Sequence, residues 1–142
     1  MGPIRVAATA ISNANPANVF ALLKDGSTWP DWAMFDKFEL ERLGRDEPYG
    51  VGAIRVFITK VSRAREEIVE LIPDRRLSYV LLSGYPFRDY RADVDLELTG
   101  DGGTVISWRA SFYPKHFATG WFWRLFMARV LAKTAAQLAA EA

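Results

Sequence analysis

An α+β fold, an antiparallel sheet closed by one long C-terminal helix, is predicted by the order and period of the apolar residues. Segments with the alternation of strands fill most of the chain from Ile4 to Phe112 and are separated by Gly and Pro turns. Helix signals interrupt them only between Asn15 and Trp32, and Thr119 to Ala142 (TGWFWRLFMARVLAKTAAQLAAEA) then reads as a single long helix. A sheet with one apolar face must cover it, and a lone helix laid across a curved sheet leaves a space beneath it. The order that sets the architecture therefore also predicts a pocket, in one domain spanning residues 1–142.

Each element has its own justification. Ile4 to Ile11 alternates loosely and carries β-branched residues, which predicts the first strand. Asn15-Pro16 opens a short helix: Asn caps free amides and Pro already has the φ of the first helical position. Val19, Phe20, Leu22 and Leu23 give that helix an apolar face up to the stop at Asp25-Gly26, and Ser27-Thr28 caps a second short turn through TWPDW. A second strand starts near Asp36. AIRVFIT, SRAREEIVELI, LSYVLLSG, DYRADVDLELT and TVISWRASF follow, each bounded by Gly, Pro or Asp turns, for six to seven strands spaced as a meander. DYRADVDLELT has the clearest phase, with Tyr90, Ala92, Val94, Leu96 and Leu98 on one face and Arg91, Asp93, Asp95 and Glu97 on the other. Ile106, Trp108, Ala110 and Phe112 fall in phase on the next strand, and GDGG makes the two a hairpin whose large groups share one interior.

Composition excludes several functions. The 18 Lys and Arg against 17 Asp and Glu give no polyanion-binding excess, so no nucleic-acid partner is expected. With no Cys there is no disulfide framework, thiolate metal site or Cys nucleophile, and one His with no calcium-loop spacing leaves no metal site. GDGG lacks the Lys, Ser or Thr of a phosphate loop, and no cofactor is implied. The start, MGPIRVAATAIS, lacks the pattern of a secretory signal, so a cytoplasmic location is expected. Arg124 and Arg129 interrupt the most apolar run, Trp121 to Leu131, which predicts no membrane span.

The segments ISNANPANVFALLKDGSTWPDW, the G-x-x-R of GAIR, REEIVELIPDRRLSY, SGYPFRDYRADVDL and GGTVISWRASF together resemble the START-like (SRPBCC) superfamily, in its polyketide cyclase/dehydrase-like branch. The resemblance covers almost the whole chain. It implies a helix-grip (Bet v 1-like) fold, a curved antiparallel sheet around the C-terminal helix with a cavity between them. Members bind lipids, polyketides, steroids and other apolar molecules, and only some catalyse reactions. They share no catalytic motif, so the resemblance assigns no catalytic residue.

Cavity candidates come from the residues themselves. At about 100° per residue the closing helix places Leu125, Ala128, Leu131, Ala132, Ala135, Leu138 and Ala139 on one arc, which is expected to face the sheet. Arg124 falls inside that arc; it either holds a ligand carboxylate or phosphate at the pocket mouth or snorkels outward. Trp121, Phe122, Trp123 and Phe126 surround the helix, more than one buried stripe uses, which suggests a portal, a membrane-touching lip or a homodimer contact. In the strands, Arg55 and the acids Glu66 and Glu67 are the charges expected to point inward, as a structural ion pair or, in a cavity, as an acid or base; Glu67 is the acid carried forward as a cavity residue. Tyr79, Tyr90 and Trp108 have polar tips able to orient a ligand, Phe112 shares their interior, and His116 sits in the loop beside the expected opening.

The expected function is binding, for transport or sequestration, of a small to medium hydrophobic ligand, with an anionic end if Arg124 turns inward, in a cavity of roughly several hundred Å3. The alternatives are a cyclase, aromatase or dehydratase, which needs two proton-moving groups converging on one spot, and an interaction module built on the aromatic start of the closing helix.

Overall fold

The computed structural model describes residues 2–142. Strand β1 (Ile4–Ser12) leads into helix α1 (Pro16–Lys24) and the short helix α2 (Trp29–Trp32). Six strands follow: β2 (Lys37–Arg42), β3 (Ile54–Ile58), β4 (Arg63–Ile72), β5 (Arg76–Ser83), β6 (Phe87–Leu98) and β7 (Thr104–Pro114). Helix α3 (Gly120–Glu141) ends the chain. All seven strands form one antiparallel sheet in the order β1-β7-β6-β5-β4-β3-β2, so β2 to β7 are the expected meander and β1 closes onto its last strand. This is the helix-grip fold.

Local chemistry fixes the two ends of α1. The Asn15 side chain accepts a hydrogen bond from the Asn18 amide at 2.9 Å, with Pro16 at the first helical position, as the sequence requires. Thr28 does not cap α2 with its side chain. Its hydroxyl donates to the Leu22 and Asp25 carbonyls and accepts from Trp32 Nε1, locking the α1–α2 corner.

The sheet is bent where its register shifts, between Leu40 and Arg42, Arg65 and Glu66, Ile68 and Glu70, and Arg88 and Arg91, because an extra residue on one strand kinks the ladder. Its concave face carries the core: Phe57, Ile68, Leu77, Val94, Ile106, Trp108 and Phe112 are all buried. Leu98, in phase with the buried residues of β6, occupies the last rung before the turn and is exposed. The opposite face is charged and paired, as where Asp95 accepts from Arg76 and Arg109. Helix α3 lies along β1 and β7, tied at its far end by the Ser12 hydroxyl donating to the Ala139 carbonyl at 2.8 Å.

The β5–β6 turn depends on Gly84, which holds φ +122° against β4; an added Cβ would lie 2.5 Å from the Arg63 carbonyl oxygen and 2.7 Å from Ala64 Cα. Both the backbone angle and the contact with rigid backbone oppose any side chain. Gly84→Ala is therefore expected to lower stability by about 2 kcal/mol or more, read as a drop in the midpoint of thermal unfolding.

Candidate functional site

The space between the sheet and α3 is lined by rings from several elements: Trp29 of α2, Tyr79 of β5, Tyr90 of β6 and Trp108 of β7, with Met127 and Leu131 of α3 as the roof. Its enclosed volume is about 50 Å3, not the several hundred expected, because the large aromatics pack against one another. Trp29 stacks on Phe57 at 4.4 Å and meets Trp108 edge-on at 5.9 Å, while Tyr90 stacks on Phe87 and Phe112. Space on that scale suits a few waters, each needing roughly 10–15 Å3. Partly exposed Phe35, Leu81, Tyr85 and Val130 also line it. Being less packed than the buried rings, they form its mouth.

Polar groups are few and concentrated. Trp108 Nε1 donates to the Tyr79 hydroxyl at 3.2 Å, and burial pushes the Tyr79 and Tyr90 hydroxyls well above their ordinary range, so both remain protonated. Glu66 of β4 faces this same space and is buried. Its register partner on β3 is Arg55, which is completely buried. The Arg55 guanidinium lies over the Trp29 and Phe57 rings, 5.1 Å from each centroid, and Nη1 donates to the carbonyls of Leu23 at 2.8 Å and Lys24 at 3.2 Å. Those carbonyls end α1 and have no helical partner, so a cation there satisfies them and complements the negative end of the helix. Arg55 is thus a buried cap whose position follows from α1.

Its relation to Glu66 is incomplete. Arg55 Nη2 and Glu66 Oε1 are 3.9 Å apart, an ion pair but too long for a hydrogen bond, and Arg55 Nε, Arg55 Nη2 and Glu66 Oε1 have no hydrogen-bond partner. Desolvation raises the Glu66 carboxyl to about 7, with the Arg55 charge pulling against it, and the same desolvation lowers Arg55. The cavity therefore holds a carboxyl poised near neutrality, two neutral phenols and an otherwise mainly apolar wall, in which the Thr134 hydroxyl is already bonded to the Val130 carbonyl.

The family described as polyketide cyclase / dehydrase and lipid transport matches residues 3–142. The chain belongs to this family. No curated protein matches it. Among solved structures, the protein XoxI from Bacillus cereus superposes with a TM-score of 0.79 at 16% identity, covering 96% of this chain and 94% of that one. A START superfamily protein from Mycobacterium smegmatis gives 0.67 at 12% identity, covering 91% and 95%. Norcoclaurine synthase from Thalictrum flavum, in complex with dopamine and hydroxybenzaldehyde, gives 0.73 at 16% identity, covering 98% and 86%. These similarities establish the fold, and the family is one of hydrophobic-ligand binding. No helix among the described residues is long and apolar enough to cross a membrane.

Against this geometry the sequence candidates separate into groups. Tyr79, Tyr90 and Trp108 line the cavity. Glu67 does not: it points to the opposite face, where it pairs with Arg42 at 3.4 Å, and its neighbour Glu66 takes the inward place because alternate residues of a strand face opposite sides. Arg55 and Phe112 are buried beside the cavity without lining it. His116 is exposed, and its loop carbonyl accepts from the Thr119 hydroxyl. On α3 the buried residues are Met127, Leu131, Thr134, Ala135 and Leu138, so the inner arc is rotated from the predicted one. Leu125 and Ala132 are exposed and Ala128 is half-buried. Trp121, Arg124 and Leu125 line a separate groove of about 670 Å3 on the surface, together with Arg88, Tyr113 and Phe117.

The wall residues that the sequence candidates omit include Trp29, Phe35, Tyr85 and Met127. The TWPDW segment carried a signal for the first of these: Trp29 and Trp32 lie three residues apart on one face of a helix too short to bury them, so the rings must pack against the sheet.

Proposed function

We propose that the chain binds a small, mainly apolar molecule between the sheet and α3, with one hydrogen-bonding group at the Glu66 end. The observation that carries the reading is Glu66 itself: a buried carboxyl with an unpartnered oxygen, facing a space walled mainly by aromatic and aliphatic groups. An unpaired buried acceptor is costly, and a ligand hydroxyl or amine would satisfy it. A carboxyl at the polar end selects against an anionic group, and Arg124, the basis for expecting one, lies outside this cavity. Arg55 sits behind Glu66 with its charge committed to α1.

One benzene-sized ring needs a cavity of about 150 Å3, roughly three times the present space. Binding therefore requires displacement of roof and mouth side chains, among which Met127 is unbranched and Tyr85 is only partly buried. Native mass spectrometry of the protein from its own host is expected to show one retained small apolar molecule. In Thr134→Leu, which fills the cavity from α3, that molecule should be absent while the fold persists. Retention by the filled variant would place the ligand elsewhere and defeat the reading.

A second reading rests on the Glu66 carboxyl near pH 7. A general acid or base works best with its pKa near the working pH, and Tyr79 and Tyr90 are neutral donors lining the same space. Norcoclaurine synthase, a synthase whose structure holds dopamine and hydroxybenzaldehyde, supports the idea that this fold can hold small aromatic molecules in an enzyme. The retained molecule from native mass spectrometry, incubated with Glu66→Gln and wild-type protein, separates the two: turnover that only the wild type performs favours catalysis.

A further inference from the structure

We propose that the first two turns of α3 and the groove beside them form a docking surface for a bilayer containing anionic phospholipid. This proposal stands independently of what occupies the internal cavity.

The outward face of α3 is where solvated residues belong, and over its first two turns it is apolar. Trp121 is 70% exposed, Leu125 55% and Phe122 46%, with Phe117 at 78% in the preceding loop. These exposed groups sit on a firm base. Phe122 packs edge-on against Trp123 at 5.0 Å, and Trp123 against Phe87 of the core at 5.0 Å. A contiguous apolar patch of this kind on one face marks an interaction surface.

Charge identifies the partner. Between Asp101 and Glu141 the sequence contains no acidic residue but holds Arg109, Lys115, Arg124, Arg129 and Lys133, in a chain whose net charge is only +1. Arg109 is committed to Asp95 on the sheet. The other four, and Arg88, have no ion-pair partner among the described residues. Arg88 and Arg124 both line the groove, whose other lining residues include no Asp or Glu. Rings flanked by unpaired cations match the acyl boundary and phosphate layer of an anionic membrane. A second copy of this chain fits less well, since a twofold contact sets the same surface against itself and brings the unpaired cations together. Because α3 is not long and apolar enough to cross, it would lie in the plane of the surface.

The docked face would also adjoin the cavity mouth. Trp123 packs edge-on against Tyr85, a mouth residue, at 6.4 Å, so the exposed patch and the mouth form one run of rings.

The test is sedimentation with vesicles of phosphatidylcholine alone or mixed with phosphatidylglycerol. The protein is expected to sediment with the mixed vesicles and not with the neutral ones, and to be released by added salt. Trp121→Ser with Leu125→Ser should abolish binding, and Arg88→Glu with Arg124→Glu should weaken it roughly tenfold or more. Circular dichroism and unfolding midpoints confirm that these exposed substitutions leave the fold intact. Equal binding to both vesicle types, or binding retained by both variants, overturns the proposal. So does a dimer in light scattering that Trp121→Ser with Leu125→Ser dissociates, because a second copy would then cover the face.

Discussion

Arg55→Met is expected to cost about 3–5 kcal/mol of stability, because it removes one partner of a buried charged pair and leaves the other uncompensated. Methionine fills much of the volume of the arginine stem between Trp29 and Phe57, so the loss reports chemistry more than a cavity. Three things go at once: the donor to Lys24 O, one of two donors to Leu23 O (Trp29 Nε1 remains at 3.1 Å), and the charge facing Glu66. Native domains carry only about 5–15 kcal/mol in total, so the variant should be near its folding limit. The loss should be greater at pH 8 than at pH 5, where Glu66 can take up a proton and cease to need a counter-charge. Replacing both partners, Arg55→Met with Glu66→Leu, should recover part of the loss. Urea unfolding of the two variants at both pH values provides the check. A single-variant loss below about 1 kcal/mol, or a double variant less stable than the single, would show that the pair does not act as described.

How far the sequence carried depends on the period of each element. The strands were legible because their alternation is strict: Tyr90, Ala92, Val94 and Leu96 are all buried on β6, and Ile106, Trp108, Ala110 and Phe112 on β7. The cap at Asn15 and the turn at Gly84 were legible for local steric reasons. The inward acid was harder, since adjacent Glu66 and Glu67 differ only in parity and a bulge falls at Arg65/Glu66; one residue of register exchanges the two faces. The phase of α3 was illegible for a different reason. Its first turns are apolar all round and its later turns are rich in Ala on several sides, so no stripe stands out, and Met127 and Thr134 face inward because β1 and β7 set the helix rotation. Cavity volume depends on how rings interlock, as Trp29 does with Phe57 and Trp108, and composition does not encode that.

Glu66→Gln is expected to make the protein progressively more stable than the wild type as pH rises from 5 to 8, reaching about 3 kcal/mol. The sign follows from proton binding. Burial raises the folded carboxyl from its ordinary 4.5 to about 7, so between those values the folded state holds a proton that the unfolded chain has released. Stability therefore falls as pH rises through this window, by about 1.4 kcal/mol for each unit of the shift. Below 4.5 both states are protonated, above 7 both are ionised, and Glu66 contributes no slope on either side. Gln is isosteric and cannot ionise, so the difference between variant and wild type isolates this one group from all the others that titrate. Arg55 limits the effect, since its charge favours the ionised carboxyl even though desolvation prevails. Denaturant midpoints taken at half-unit pH intervals, with constant m-values, measure it. A variant whose advantage is flat between pH 5 and 8 would mean that Glu66 is ionised throughout, well paired with Arg55 by a group bridging their 3.9 Å separation. It would then present the cavity with a fixed negative charge, and the ligand's polar end would have to be a cation.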